Sequence, residues 1–268
     1  MTTPQTPLTN RLKRIQARLG IEADGVLGPE TLSALERKLG IVVPERAMTK
    51  TLQRAVSLQC SRASLDLLVG FEVGSRQRYE REYQQPVWPG GQSGVTIGIG
   101  YDLGMTDKAR IREDWSPLLT EAEVMALIAV QGVVGPDAKA LVRGISHVRI
   151  PYEAAAQVFF TRTLPLFAAL TRQAFPGVQK LPADAQGMLL SLVYNRGAST
   201  SGARRREMAN LQRLMRASRL SLPALAAEFE SMKRLWPELP GLQSRRQREG
   251  DVIRASKRRY QPAEIIKV

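Results

Sequence analysis

Glu72 closes an apolar stretch, Leu67-Leu68-Val69-Gly70-Phe71-Glu72, and Thr96 follows 24 positions later inside a glycine-rich segment. A carboxyl beside Phe71 and Val69 loses solvation, which favours its protonated form, as a general acid working near neutral pH requires. A helix-end glutamate satisfied by an arginine carries the same local pattern, so both readings stand at this level. Gly90, Gly91, Gly94, Gly98 and Gly100 let a backbone approach a ligand closely. Among them Thr96 offers a hydroxyl that can hold a water, and Trp88 offers a ring that can stack on a sugar. An ordinary hairpin with glycine turns would use the same residues. No Lys-Ser/Thr follows the glycines, so a phosphate-cradling loop is not supported.

The elements that must position these groups are mostly helical. Leu65, Leu68, Val69 and Glu72 share one helix, and residues 83–104 break the pattern with Pro86, Pro89 and the glycines. Val95-Thr96-Ile97-Gly98-Ile99-Gly100-Tyr101 alternates large and small residues as a short β-hairpin does. Thr120-Glu121-Ala122-Glu123 is a capping box ahead of Val124, Leu127 and Ile128. Pro151 and Pro182 each open a further helix. Met208, Leu211 and Met215 line one face of a basic amphipathic helix, and Leu222–Phe229 and Arg245–Ala255 make the last two. The expected class is α+β, mostly α-helical: a helical bundle with one small sheet near residues 83–104.

An N-terminal unit is expected over residues 1–45, and a larger domain over 46–268. Leu12, Ile15 and Leu19 recur at helical spacing, a turn follows at Asp24-Gly25-Val26-Leu27-Gly28, and Pro29 suits the start of a second helix bearing Leu32, Leu35 and Leu39. About 40 residues bury little surface, so this unit needs a neighbour or a third helix.

Charge and composition narrow the function classes. The 268 residues carry 39 Lys and Arg against 25 Asp and Glu, a net charge of +14. Residues 204–268 hold 16 basic and 7 acidic side chains, so +9 of that surplus lies there. Such a field favours an anionic partner without choosing among nucleic acid, membrane surface and acidic polymer. Only 6% of residues are aromatic and no nucleic-acid motif is present, which argues against nucleic acid. The longest apolar run, Val124–Val130, has seven residues, against about 18 or more for a bilayer span. One cysteine, Cys60, excludes an internal disulfide. With the single histidine, His147, it also argues against a zinc site or a Ser-His-Asp triad, while carboxylate-bound metals stay open. Both residues read as structural.

Phe71-Glu72, Tyr79 and the run Val95–Tyr101 together resemble the phage-type lysozyme (endolysin) family, which places a catalytic glutamate at a helix end before a small sheet with a Thr-Ile-Gly-x-Gly-His pattern. Leu189–Gly197, ending in Asn195-Arg196-Gly197, is similar to the family helix that ends in Asn-x-Gly. Gly241-Leu242-Gln243-Ser244-Arg245-Arg246 is similar to its Gly-Leu-x-x-Arg-Arg motif. Separately, Asp24-Gly25-Val26-Leu27-Gly28-Pro29-Glu30-Thr31 resembles the peptidoglycan-binding module of cell-wall hydrolases.

The resemblance implies cleavage of peptidoglycan glycan between N-acetylmuramic acid and N-acetylglucosamine, with Glu72 as general acid and no metal or organic cofactor. Thr96 would place the water, with Asp102 as base or electrostatic partner. Trp88, Ser93, Tyr101 and Asn195 would contact substrate, and Asp24, Gly25, Gly28 and Thr31 would belong to the wall-binding module.

The chain departs from the family at its second carboxylate. The family aspartate falls nine residues after the glutamate, where this chain has Arg81, and the family histidine is replaced by Tyr101. Asp102, a water held by Gln92, Ser93 and Thr96, or attack by the substrate's own hydroxyl in a lytic transglycosylase all remain open, as does a non-catalytic wall-binding protein. Arg245 and Arg246 are candidates to pair with Glu72 or neighbouring acids. Arg204–Arg206 and Lys257–Arg259 would carry surface charge toward anionic outer-membrane or wall polymers. Residues 1–14 contain no apolar h-region, so no ordinary signal peptide is expected. The expectation is a monomer made in the host cytoplasm that acts in the periplasm or cell wall after release, whether as endolysin or injected effector.

Overall fold

The computed structural model describes residues 7–20, 57–217, 219–257 and 259–268. Asp24, Gly25, Gly28, Thr31 and the expected boundary at 45/46 lie outside the described residues.

In chain order the elements are α1 (Pro7–Arg18), β1 (Gln59–Ser61), α2 (Arg62–Val73), α3 (Arg76–Glu82), β2 (Thr96–Ile97), β3 (Tyr101–Asp102), α4 (Lys108–Trp115), α5 (Glu121–Ala129) and α6 (Pro136–Leu141). They continue with α7 (Tyr152–Val158), α8 (Leu164–Ala174), α9 (Ala183–Arg196), α10 (Arg206–Met215), α11 (Leu222–Ser231), α12 (Pro240–Arg254) and β4 (Ile265–Lys267). The class is α+β and mostly helical. No described helix is long and apolar enough to cross a membrane.

The chain forms two compact units. The hairpin unit runs from Arg62 to Phe167 and includes Val268. Leu65, Leu68, Tyr79, Ile97, Ile111 and Trp115 are among its fully buried side chains. The Tyr79 hydroxyl donates to the Ile150 carbonyl at 3.0 Å, so the polar end of a buried ring is satisfied. Local signals are honoured closely. The Thr120 hydroxyl and the Glu123 carboxylate cap α5 reciprocally, and Pro151 is the N-cap of α7.

Between α7 and α8 the helix widens into a π-turn, Phe159–Thr163, in which the Leu164 amide bonds the Phe159 carbonyl five residues back. Pro165 explains it. A proline lacks the amide that would bond residue 161, and its ring crowds that carbonyl; an extra residue per turn relieves both.

Among the described residues, the helical unit comprises those before Arg62 and Ala168–Lys267. Its centre is α9, whose residues from Ala185 through Val193 are all buried. Met208, Leu211 and Met215 face inward from α10, as their spacing predicts. A sheet that the residue pattern does not announce closes this unit: β1 pairs antiparallel with β4, Cys60 opposite Ile266. Gln186 anchors β1, its side-chain oxygen accepting the Gln59 amide at 2.9 Å. The Asp184 carboxylate accepts the Ser61 hydroxyl and, at 2.9 Å, the Tyr260 hydroxyl. Burial pushes the Cys60 thiol up to about 12, so it stays protonated and unreactive in the core.

Candidate active site

In the hairpin unit, α2 buries Ser64, Leu65, Leu68 and Val73 and brings Glu72 into its last turn, half-buried. Gly74 ends the helix, its amide donating to the Gly70 carbonyl at 2.9 Å, and Ser75 caps α3 through its hydroxyl.

The second component is the hairpin. β2 and β3 pair with Thr96 opposite Asp102 and Ile97 opposite Tyr101. The turn needs positive φ at Gly98 (57°) and Gly100 (72°), which explains the Gly-x-Gly spacing. Val87 extends the arrangement, exchanging two backbone hydrogen bonds with Thr96 at 2.9 and 2.8 Å. On its other margin Gly94 bridges Val134, and the Gly135 amide donates to the Ser93 carbonyl at 3.0 Å.

Asp102 holds this loop together. Its Oδ1 accepts the Gly104 amide at 2.8 Å, and both oxygens lie 3.1 Å from the Gly94 amide. A Cβ on Gly94 would fall 2.4 Å from both Asp102 Oδ1 and the Gly104 nitrogen. Glycine there permits the contact, and the carboxylate closes it. Asp102, expected as base or electrostatic partner, thus also braces the loop through backbone amides. Each hydrogen bond to a charged acceptor contributes about 1.5–3 kcal/mol.

The other expected contacts divide. Thr96 is half-buried and its hydroxyl makes a long 3.4 Å contact to the Gly94 carbonyl. Ser93 serves through its carbonyl, which also accepts the Trp88 indole N–H at 3.0 Å. Trp88 is half-buried, with Lys139 Nζ 5.7 Å from its ring centroid. A cation already lies against the ring expected to stack on a sugar.

Tyr101, expected to contact substrate, is largely buried. It is 8% exposed, its hydroxyl donates to Asp114 Oδ2 at 3.0 Å, and its ring meets Trp115 edge-on at 5.4 Å. Burial and the Asp114 charge push its hydroxyl well above the tyrosine range, so it stays neutral. Asn195 lies in the helical unit, exposed near the end of α9.

Sequence reasoning misses three buried carboxylates as partners. Asp114 receives Tyr101 and Arg110, whose Nε donates at 2.6 Å, with Arg162 Nε 3.3 Å from the other oxygen. It lines a pocket of about 270 Å³ together with Glu113, Leu118, Gln157, Val158 and Arg162; none of the expected site residues lines it.

Glu249 sits wholly buried in the helical unit. Its Oε1 accepts Ser191 at 2.6 Å, Arg246 at 2.9 Å and Arg245 at 3.2 Å. Burial pushes Glu249 upward, opposed by both guanidiniums and the Ser191 hydroxyl. Arg245 and Arg246, expected as partners of acids near the site, both pair with Glu249. Glu207 is the third, bound by Arg234 at 2.7 Å and Arg206 at 3.0 Å. The legible signals are spacings: Arg110-x-x-x-Asp114 and Arg245-Arg246-x-x-Glu249 place opposite charges one helical turn apart.

No family model matches the chain, and no curated protein matches it either.

Proposed function

We propose that the chain cleaves the glycan strand of peptidoglycan between N-acetylmuramic acid and N-acetylglucosamine, with Glu72 as general acid. One observation carries the reading: a half-buried carboxyl in the last turn of a helix belongs to the same compact unit as a glycine-braced hairpin bearing Thr96. Glu72 donates its proton to the leaving glycosidic oxygen. Thr96 and the hydroxyl of Ser93, which makes no hydrogen bond among the described residues, orient the water that attacks the anomeric carbon. The Asp-Gly-x-x-Gly-Pro-x-Thr segment at residues 24–31 supplies wall affinity. The enzyme is made in the cytoplasm and acts on the wall after release.

A second reading is favoured by Asp102. With its oxygens on backbone amides, the general base of an inverting hydrolase has no assigned residue. A lytic transglycosylase needs none of that kind, because a hydroxyl of the muramic acid itself attacks its anomeric carbon.

Mass spectrometry of fragments released from purified peptidoglycan tests both. Reducing muramic ends mean hydrolysis and anhydro-muramic ends mean transglycosylation. No fragments from wild type, with retained wall binding, would leave a wall-binding protein.

A further inference from the structure

We propose that Arg196, Arg204 and Arg205, backed by Trp236, form a site in the helical unit that binds a phosphate group. The three guanidiniums are pinned by backbone carbonyls. Arg196 Nη2 donates to the Arg204 carbonyl at 2.5 Å, Arg205 Nη1 donates back to the Arg196 carbonyl, and Arg204 Nη2 donates to the Leu235 carbonyl at 3.2 Å. The Arg196 guanidinium also lies 4.8 Å from the centroid of the Trp236 ring.

Charge balance distinguishes Arg196 and Arg204 from the other basic residues nearby. Arg206 and Arg234 pair with Glu207, Lys257 with Glu264, and Arg254 with Asp251. Arg196 and Arg204 form no ion pair among the described residues. Burial, then the positive charges of Arg205 and Arg246, bring the Arg196 guanidinium down to about 10; Glu207 opposes this, and Arg204 adds a smaller push in the same direction as the other arginines. Its Nε is buried without a hydrogen-bond partner among the described residues.

A guanidinium has five donors, and Arg196 and Arg204 each spend one on a carbonyl. Fixed donors of like charge suit a ligand carrying more than one negative charge and several acceptor oxygens. Phosphate has both, whereas a lone carboxylate would neutralise one guanidinium only. The phosphate can be free or the headgroup of a lipid. The site stands apart from the reading of Glu72 and does not depend on glycan cleavage.

The test uses the full chain, as wild type and as Glu72→Gln. Inorganic phosphate is titrated while the arginine Nε–H signals are followed by NMR, and flotation is measured with vesicles of phosphatidylglycerol and phosphatidylcholine at 1:3 and with phosphatidylcholine alone. The expected result is saturable movement of the Arg196 and Arg204 signals, with affinity weakened about tenfold by Arg204→Gln and by Arg196→Gln. Arg112→Gln, which removes the same charge from the hairpin unit, should leave it unchanged. Capture by the phosphatidylglycerol vesicles, sensitive to the same two variants, would assign the headgroup source; a response to inorganic phosphate alone would assign a free phosphate. Equal loss in all three variants would replace the site by the overall positive field, and absence of saturable signal movement and of vesicle capture would remove it. The wild-type signals decide the matter even if Arg196→Gln does not fold. A protein that binds phosphate yet releases no glycan would overturn the function proposed for Glu72 and leave this site standing.

Discussion

The amide of Gly104 donates to the Asp102 carboxylate at 2.8 Å, and the same carboxylate takes the amide of Gly94 at 3.1 Å. One side chain therefore ties the strand entering the hairpin to the loop leaving it. Thr96 stands directly opposite Asp102 in the register, so whatever Thr96 does depends on that tie.

Replacing Glu72 by Gln removes the transferable proton and keeps the size of the side chain. Fragment release from peptidoglycan should fall by about 10²-fold or more, the scale of general acid catalysis, while binding to intact sacculi is retained. Parallel release and pull-down assays read the two effects. Unchanged release would eliminate Glu72 as the acid.

Asp102→Ala leaves the Gly94 and Gly104 amides without their acceptor and should cost about 3 kcal/mol or more in denaturant unfolding. Asp102→Asn keeps an acceptor oxygen and should cost less, with activity largely preserved. An Asn variant as inactive as Glu72→Gln, yet as stable as wild type, would make Asp102 a chemical participant.

Gly94→Ala forces a Cβ to 2.4 Å from Asp102 Oδ1 and the Gly104 nitrogen. It should destabilise by about 3 kcal/mol or prevent folding. Gly144→Ala, where nothing lies within 4 Å and φ is ordinary, should be near neutral. Thermal unfolding of the pair isolates the close approach from any general effect of adding a methyl group.

Tyr101→Phe removes a hydrogen bond to the buried Asp114 carboxylate. Stability should drop by about 1.5–3 kcal/mol, with KM for soluble glycan fragments unchanged. A raised KM at unchanged stability would return Tyr101 to the substrate.

Glu207 supplies the pH dependence. Burial pushes its carboxyl up, but Arg234, its own backbone and Arg206 pull it further down, to a net value below the ordinary one. A carboxyl depressed in the folded state contributes stability that is present above its unfolded value, near 4.3, and lost as pH falls through the folded value. Glu207→Gln should cost about 2 kcal/mol or more at pH 7 and flatten the acid limb below pH ~4.5. Denaturant midpoints from pH 7 to 3 for both proteins give the comparison; parallel curves would mean the ion pairs contribute nothing.

Much of the scaffold is legible in the residues themselves. The Thr120 capping box, the helices begun at Pro151 and Pro182, the inward face of α10 and the hairpin at Val95–Tyr101 all follow from signals within a few residues of one another. The sheet of β1 and β4 is not legible in this way. Each strand has three residues, too few for a periodic pattern, and Cys60 and Ile266 are brought opposite one another only by the packing of everything between them.

The candidate site divides the same way. Sequence determined that Glu72 ends a helix and that Gly98 and Gly100 turn a hairpin, because helix periodicity and positive φ are local requirements that residue types meet by themselves. Tertiary structure decided that Asp102 braces Gly94 and Gly104, that Tyr101 points to Asp114, and that Arg245 and Arg246 meet Glu249. A buried charge or hydroxyl must find its partner among all the groups that lose water with it. That choice depends on which distant segments are packed together, and no short stretch of residues contains it.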